Sequence, residues 1–503
     1  MIIRNKLAKI SKHHFFPPFL IGILAFLIRL ISLLHSGGLK SVLGYDEGVY
    51  MGAATGLAHG LLPYRDFLFV HPPGILLVLS PFAELAKITT DSNAFLAARF
   101  FFMLIGTLSA VLVSLIARRV NSVAGWISGL TYAVWLPVVR EERTTLLEVL
   151  CLVSLAIALF LLNSIELSNI RIVSIGVILG FATSVKIWMA LAIAVISIWL
   201  VINKKLKSAI HLGLISISTF AIVLLPFYLK APKKMYELVW VAQISRAGNG
   251  DSRIHRLHSI FNIYTFNFTF SAVVVLAIVI LLFAISFTLL RKDLKLSSLV
   301  TLWLLLLIAQ IITLLKTPIF FHGYASYAAI CLILISGVII SEGYFLAKSK
   351  IKWSVVPVIL FLAFFIIINS VEAISLAPEQ KFPLLKIEQL ANGEKCVATD
   401  SPIVTILSNT LTPSLNNGCT EIFDVDGTIY GINDGLNPMK LTSTERREKS
   451  IEYQKLLMKY FESGDLLILK RQTADALTPE TVSKLTKLNL ISTLGEYNFY
   501  DVK

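Results

Sequence analysis

Two adjacent carboxylates, Asp46 and Glu47, stand in Gly44-Tyr45-Asp46-Glu47-Gly48-Val49-Tyr50, ten residues past the end of an apolar run. The segment continues through Tyr64-Arg65-Asp66-Phe67 and His71-Pro72-Pro73. A carboxylate can take a proton from an attacking hydroxyl, and Arg or His can meet an anion. Placed at the lip of a membrane, such groups are expensive to desolvate and default to a functional reading. The bland alternative is a solvated loop in which Asp46 and Glu47 face water.

The elements that must position these residues are apolar helices. The chain has 503 residues, 56% of them apolar and 15% charged, with a mean hydropathy of +0.77. A soluble domain carries less apolar and more charged residue. Apolar runs recur along the first three quarters, which predicts a polytopic helical membrane protein. Spans are expected near 17–34, 95–117, 124–138, 146–163, 171–185, 188–202, 209–229, 270–290, 297–316, 325–342 and 353–371. The run 75–89 carries Pro81, Glu84 and Lys87, and reads as an interfacial or re-entrant helix. The run 171–202 would be roughly 48 Å long as one helix, against a hydrocarbon core of about 30 Å. It is therefore split at Lys186, with the Lys at the outer face.

Residues 1–371 have a net charge of +18, and residues 372–503 have −4. The basic balance thus belongs to the membrane part and reads as lipid-facing. No basic stripe with interleaved aromatics appears in the polar tail, so nucleic acid is not an expected partner. Arg4, Lys6, Lys9, Lys12, Arg118, Arg119 and Arg171 mark the inner side by the positive-inside rule. Eleven spans then put the N-terminus in the cytoplasm and the C-terminus outside the cell (inner or plasma) membrane. The N-terminus lacks a small-residue cleavage site, so the first span is expected to be kept. The outer loop 230–269 is basic for its side. It reads either as a solvated amphipathic helix or as a site for a lipid phosphate, which Arg grips bidentately.

Two domains are expected: a transmembrane catalytic domain over 1–371 and a soluble extracytoplasmic α/β domain over 372–503. In the tail, Cys396 to Asp400 reads as a strand and Ser401 to Ser408 as a helix with Pro402 in its first turn. Thr444 to Ser463 reads as a charged helix and Leu466 to Leu469 as a buried strand. A further helix begins at Thr478-Pro479, and Asn498 to Val502 closes a strand. That alternation suggests α/β. Cys151 and Cys331 sit in apolar spans as small core residues. Cys396 and Cys419 lie in the tail and are expected to pair if that tail is in an oxidising compartment.

Read together, Tyr45-Asp46-Glu47-Gly48-Val49-Tyr50, Ala58-His59-Gly60-Leu61-Leu62-Pro63-Tyr64-Arg65-Asp66-Phe67 and His71-Pro72-Pro73-Gly74 resemble the first outer loop of GT-C glycosyltransferases. The likeness is to the bacterial group that includes the lipid A aminoarabinose transferase and the protein O-mannosyltransferases. It continues through Ala97-Ala98-Arg99 and Leu146-Leu147-Glu148, where that family commonly has Leu-Asp. It covers roughly residues 20–345 and is strongest over 40–105. The resemblance implies a sugar taken from a polyprenyl-phosphate carrier at the outer membrane face, usually with inversion. The acceptor would be an envelope glycan, lipid or protein. Asp46 falls on the catalytic Asp, as a base for the acceptor hydroxyl, and Glu47 becomes a positioning group. The leaving phosphate calls for cations or donors, and Lys186, His71, Arg65, Arg99, His322 and Tyr324 are the candidates. Each has a plainer reading: Lys186 as a snorkelling Lys, Arg65 or Arg99 as a partner of Asp66 or Glu84, and His322 with Tyr324 as a helix cap. Glu148 stands where relatives place a second acid, near Glu141 and Glu142. Acids from two loops can share a divalent metal, Mg or Mn; the alternative is an Arg–Glu surface network with Arg140 and Arg143.

Asp424-Val425-Asp426 spells a DxD triplet, but carrier-lipid enzymes do not need one. Gly125 with Gly129 and Gly176 with Gly180 read as helix contacts. Two rival functions remain. A transporter or flippase of lipid-linked sugars should show a two-fold repeat with paired broken helices, which is not seen. A non-catalytic glycan-binding membrane protein would not need an acid pair beside the membrane.

Overall fold

The computed structural model describes residues 2–163, 167–263, 294–350, 366–375, 382–470 and 476–503. The expected span 270–290 and most of 353–371 lie outside the described residues. Among the described residues, five helices are long and apolar enough to cross a membrane: Pro17–His35, Asp91–Arg118, Leu206–Tyr228, Ser298–Lys316 and His322–Phe345. The first of these is the end of α1 (Ile2–His35), the second is α4, and the third is α10.

Between them lie helices too short to cross a membrane unaided. The stretch 124–138 is not one straight helix. It is α5 (Ser122–Val134) and α6 (Leu136–Glu142), bent by 58° where Trp135 takes an extended backbone and Pro137 opens the new turn. Next come α7 (Leu147–Leu162), α8 (Asn169–Val185) and α9 (Met189–Ile202). With 14 to 17 residues each, they reach about 21–26 Å at 1.5 Å per residue. The break between α8 and α9 falls at Lys186, whose backbone is extended (φ −145°, ψ 120°). The run 171–202 is thus two helices, as its length requires.

By contacts the chain divides into two compact units. One comprises Met1–His35, Phe102–Phe220 and Asp251–Leu376; the other Ser36–Phe101, Ala221–Gly250 and Ala377–Lys503. The first unit is a helical bundle closed around small residues. A Cβ on Gly129 would meet Ile21 and Ser114, and one on Gly180 would lie 2.4 Å from the Ser216 carbonyl oxygen. Its interior also holds a compensated charge. Arg29 and Glu142 are both fully buried and paired, and Tyr132 donates to Glu142 Oε1 at 2.8 Å. A Cβ on Gly106 would strike the same carboxylate. Burial in an apolar bundle is tolerable for this pair because each charge has its partner.

The second unit joins α2 (Tyr45–Ala58) and α3 (Gly74–Ala86) to the C-terminal domain. That domain carries a four-stranded sheet of order β1-β2-β4-β3, with β1 (Val397–Thr399), β2 (Leu466–Lys470), β3 (Asn489–Leu494) and β4 (Tyr497–Asp501). β1 and β2 are parallel; β4 runs antiparallel to both β2 and β3. The expected helix Thr444–Ser463 is two helices, Ser443–Lys449 and Ile451–Phe461. Ser450 breaks it, its hydroxyl accepting from the Tyr453 amide to cap the second helix. Cys396 and Cys419 form a disulfide, with Cα atoms 5.6 Å apart.

Candidate active site

In the second unit α2 begins at the acid pair. Gly44 supplies no side-chain cap, and Asp46 and Glu47 both fall in the first turn, where carboxylates are favoured by the exposed amides. Adjacent helical residues point about 100° apart, and here the two diverge fully. Asp46 is exposed, whereas Glu47 is completely buried. Glu47 receives Arg99 as a two-pronged partner, Nε to Oε1 at 3.1 Å and Nη2 to Oε2 at 2.7 Å. The remaining Arg99 donors go to the carbonyls of Leu39 and Ser41, both at 2.9 Å. Its guanidinium also lies over the Phe95 ring, 4.4 Å from the centroid. Arg99 is therefore committed to Glu47 and the chain before α2, not to Asp66 or Glu84. Glu84 pairs instead with Lys87.

The loop after α2 is held by its own side chains. Tyr64 adopts a left-handed backbone (φ 69°) while buried, and its hydroxyl donates to the His71 carbonyl at 2.6 Å. Arg65 grips the neighbouring Asp66 with two bonds of 2.8 and 2.7 Å, and Asp66 in turn accepts from the Leu62 amide. His71 Nε2 lies 3.4 Å from the Tyr50 hydroxyl. Thus Asp46, Glu47, Arg65, His71 and Arg99 share one unit, and Arg65 and Arg99 are both engaged by carboxylates.

The other candidates gather in the first unit. Lys186 is only 7% exposed. Its ammonium donates to Glu148 Oε1 at 2.5 Å and sits over the rings of Tyr324 (4.0 Å) and Trp188 (4.4 Å). Trp188 is fixed through its carbonyl, which accepts from the Tyr327 hydroxyl at 2.8 Å. The result is an ammonium held by one carboxylate and two aromatic faces, a different environment from a Lys reaching out to a headgroup region. His322 stacks edge-on with His255 at 5.6 Å. From the basic loop, Arg256 is spent on three carbonyls, those of Leu314, Thr317 and Pro318. That closes the C-terminal end of the helix Leu294–Lys316.

These partners bear on the metal reading. Glu148 faces an ammonium, and Glu142 faces Arg29 rather than a surface network with Arg140 and Arg143. Among the described residues no three His, Cys, Asp or Glu side chains form a metal-holding group. Glu148 and Glu142 are thus each committed to a cationic side chain rather than open to Mg or Mn.

Sequence reading missed the contacts around Tyr45. Its hydroxyl donates to Asp424 Oδ1 at 3.3 Å and accepts from the Asp426 amide at 3.0 Å. Burial pushes the Asp424 carboxyl up to about 6, against the donated bond from the Gly427 amide, and also raises Asp426. Asp426 pairs with Arg447 at 3.1 Å, and Arg246 lies over the Tyr430 ring at 4.4 Å. The signals in the sequence were the aromatic directly before the acid pair and the Asp424-Val425-Asp426 triplet, with nothing to join them.

No protein-family model and no curated protein sequence matches the chain. Solved structures do match it. One is ArnT from Cupriavidus metallidurans bound to undecaprenyl phosphate, at 12% identity, covering 96% of this chain and 98% of that one with a TM-score of 0.56. This chain has the GT-C fold. The Archaeoglobus fulgidus oligosaccharyltransferase AglB, in complex with an inhibitory peptide and a dolichol-phosphate, matches over 92% of this chain and 70% of its own, at 11% identity and a TM-score of 0.54. The same enzyme in complex with Zn and sulfate matches over 90% and 68%, at 11% identity and 0.53. A GT-C fold and helices long enough to span the bilayer make this a multi-pass membrane protein.

Proposed function

We propose that this chain is an integral membrane glycosyltransferase that moves a sugar from a polyprenyl-phosphate carrier to an envelope glycan, lipid or protein. The observation that carries the reading is the divided acid pair. One carboxylate, Glu47, is locked by Arg99, which leaves Asp46 exposed on a fixed turn within a GT-C fold. Two of the matched proteins are bound to undecaprenyl phosphate and a dolichol-phosphate, which supports this donor class.

Asp46 is the base. It takes the proton of the acceptor hydroxyl as that oxygen bonds to the anomeric carbon, while the bond from this carbon to the carrier phosphate oxygen breaks. The carrier leaves as polyprenyl phosphate with the bonding electron pair. A single displacement of this kind inverts the anomeric centre. Lys186 serves the phosphate, whose negative charge grows as it departs. Tyr324 and His322, in the same unit as Lys186, are its supporting donors. Arg99 is buried with Glu47 and takes a structural part, whereas Arg65, paired with Asp66 but exposed, stays a candidate for the phosphate, as does Lys186 paired with Glu148. The Tyr45–Asp426 contact supports a tail on the same side of the membrane as the Asp46 loop; the positive-inside pattern is what suggests that this side is outside, with the N-terminus in the cytoplasm.

The test is transfer by purified protein from a panel of labelled polyprenyl-phosphate sugars, with and without EDTA. Asp46→Asn is expected to lose about 10²–10⁴ in rate, the contribution of a positioned base, while retaining donor binding. Glu47→Gln should cost less in the chemical step. Near-normal transfer by Asp46→Asn at matched expression would remove the mechanism.

A further inference from the structure

We infer that Tyr45 and Asp424 are positioning residues for Asp46, and that the Asp424-Val425-Asp426 triplet is the seat of the α2 N-terminus. The inference rests on the reading of Asp46 as the reacting carboxylate. It assigns a task to the C-terminal domain.

Asp46 lies between two anchored neighbours. On one side Glu47 is held by Arg99. On the other, the Tyr45 hydroxyl both donates to Asp424 and accepts from the Asp426 amide. Residues one place before and one place after a helical position point about 100° to either side of it. Tying both to different elements fixes the roll of the turn and leaves only the middle residue facing out. Neither anchor replaces the other, because Gly44 gives the turn no side-chain cap of its own.

The seat is built to receive α2. Asp424 Oδ1 accepts the Gly427 amide at 2.7 Å, and the Asp424 carbonyl accepts the Thr428 hydroxyl at 2.7 Å. These bonds shape the short helical turn Asp426–Gly431. Asp426 is held from behind by Arg447. Phe423, just before the triplet, fills the face of α2 opened by Gly52 and Gly56, where an added Cβ would come within 3.2 and 2.5 Å of its ring. The same ring meets Phe67 edge-on at 4.9 Å. One turn from Tyr45, a Cβ on Gly48 would lie 2.4 Å from the Ile403 amide nitrogen. Glycines four apart thus let the tail backbone approach the helix, and the phenol completes the contact at its start. Aspartates in a metal-binding triplet need open carboxylate oxygens. Here Asp424 is buried against a tyrosine and a turn, and Asp426, although partly exposed, is already paired with Arg447.

Tyr45→Phe removes one oxygen and keeps the ring, so it isolates the anchor. Two readouts on the full chain test it. Hydrogen exchange of the α2 amides over residues 46–50 is expected to speed up by about 2–12-fold, the opening expected for a lost hydrogen bond, while β2 exchanges as before. Transfer from a polyprenyl-phosphate sugar is expected to lose at least about 5-fold in kcat with donor KM unchanged, since a tilted base affects the chemical step. Asp424→Asn, which retains an acceptor oxygen for the phenol, should rescue both readouts relative to Asp424→Ala. Unchanged exchange at 46–50 in Tyr45→Phe overturns the inference, whatever the activity. So does equal acceleration in β2, which would make Tyr45 a general stabiliser. If wild-type protein transfers no sugar from any donor, the glycosyltransferase reading fails by itself. The exchange arm then still decides whether Tyr45 orders α2.

Discussion

Replacing Arg99 should destabilise the protein far more than replacing any exposed cation, and the cost should largely vanish when Glu47 is replaced with it. Both side chains have no exposure. Arg99→Met leaves the Glu47 carboxylate buried without a counter-charge, and Glu47→Leu leaves the guanidinium in the same state. Breaking such a pair costs about 3–5 kcal/mol for each single variant. The double variant removes both charges and leaves the Leu39 and Ser41 carbonyls without the donors they have at 2.9 Å. Its expected cost is about 1–3 kcal/mol, well below the sum of the singles. Thermal unfolding of fluorescent fusions in detergent, read by size exclusion, measures this. At about 2–4 °C per kcal/mol for a unit of this size, each single variant should fall by roughly 6–20 °C and the double by much less. Single variants within about 0.5 kcal/mol of wild type, or a double that loses the sum of both, would refute the buried-pair account of how α2 is held.

Lys186→Ala is expected to raise the apparent KM for donor and lower kcat, because it removes the cation from a phosphate that gains charge in the transition state; unchanged donor kinetics would return Lys186 to a packing role. Cys396→Ser with Cys419→Ser should cost about 3 kcal/mol for a loop of 23 residues, and mass spectrometry of unreduced peptides from the native host should find the two joined. Burial raises Asp424 to about 6 and Glu421 to about 8. Each therefore keeps its proton in the folded state at a pH where the unfolded chain has lost it. The stabilisation is complete below about pH 4 and is lost as pH rises through about 6 for Asp424 and about 8 for Glu421, on the order of 3 kcal/mol for Asp424 alone. The unfolding temperature of the tail should fall from pH 5 to pH 9, and a flat or rising profile over that range would contradict the burial of these acids.

Length arithmetic made some of this fold legible. The 171–202 run was too long for one span, and the chain does break at Lys186. In the tail, Pro402, Pro479 and the Leu466–Leu469 run placed their elements, because turn chemistry and burial pattern act within a few residues. Partners distant in sequence were not legible. Nothing near Lys186 announces Glu148, 38 residues away, or the Tyr324 ring that covers the same ammonium. Arg99 could equally have met a phosphate or an acid, and only the fold brings Glu47 to it. β3 was missed because its residues are mostly exposed and lack an alternating apolar face. The kink at Trp135 was missed because hydropathy does not report direction, although Pro137 within 124–138 was the local signal for it.

The unit that carries Asp46 is assembled from three separated stretches of chain. Tyr45 and Asp426 are 381 residues apart, so a ribosome that has finished α2 must make most of the protein before the partner of that helix exists. At about 5–20 residues per second, the delay is roughly 20–80 s. During it the glycine face of α2 has neither Phe423 nor Ile403 against it. The order of synthesis thus differs from the order of completion. The first loop to emerge is among the last to be finished, and a truncated or stalled chain carries the Asp46–Glu47 turn without the tail contacts that hold it.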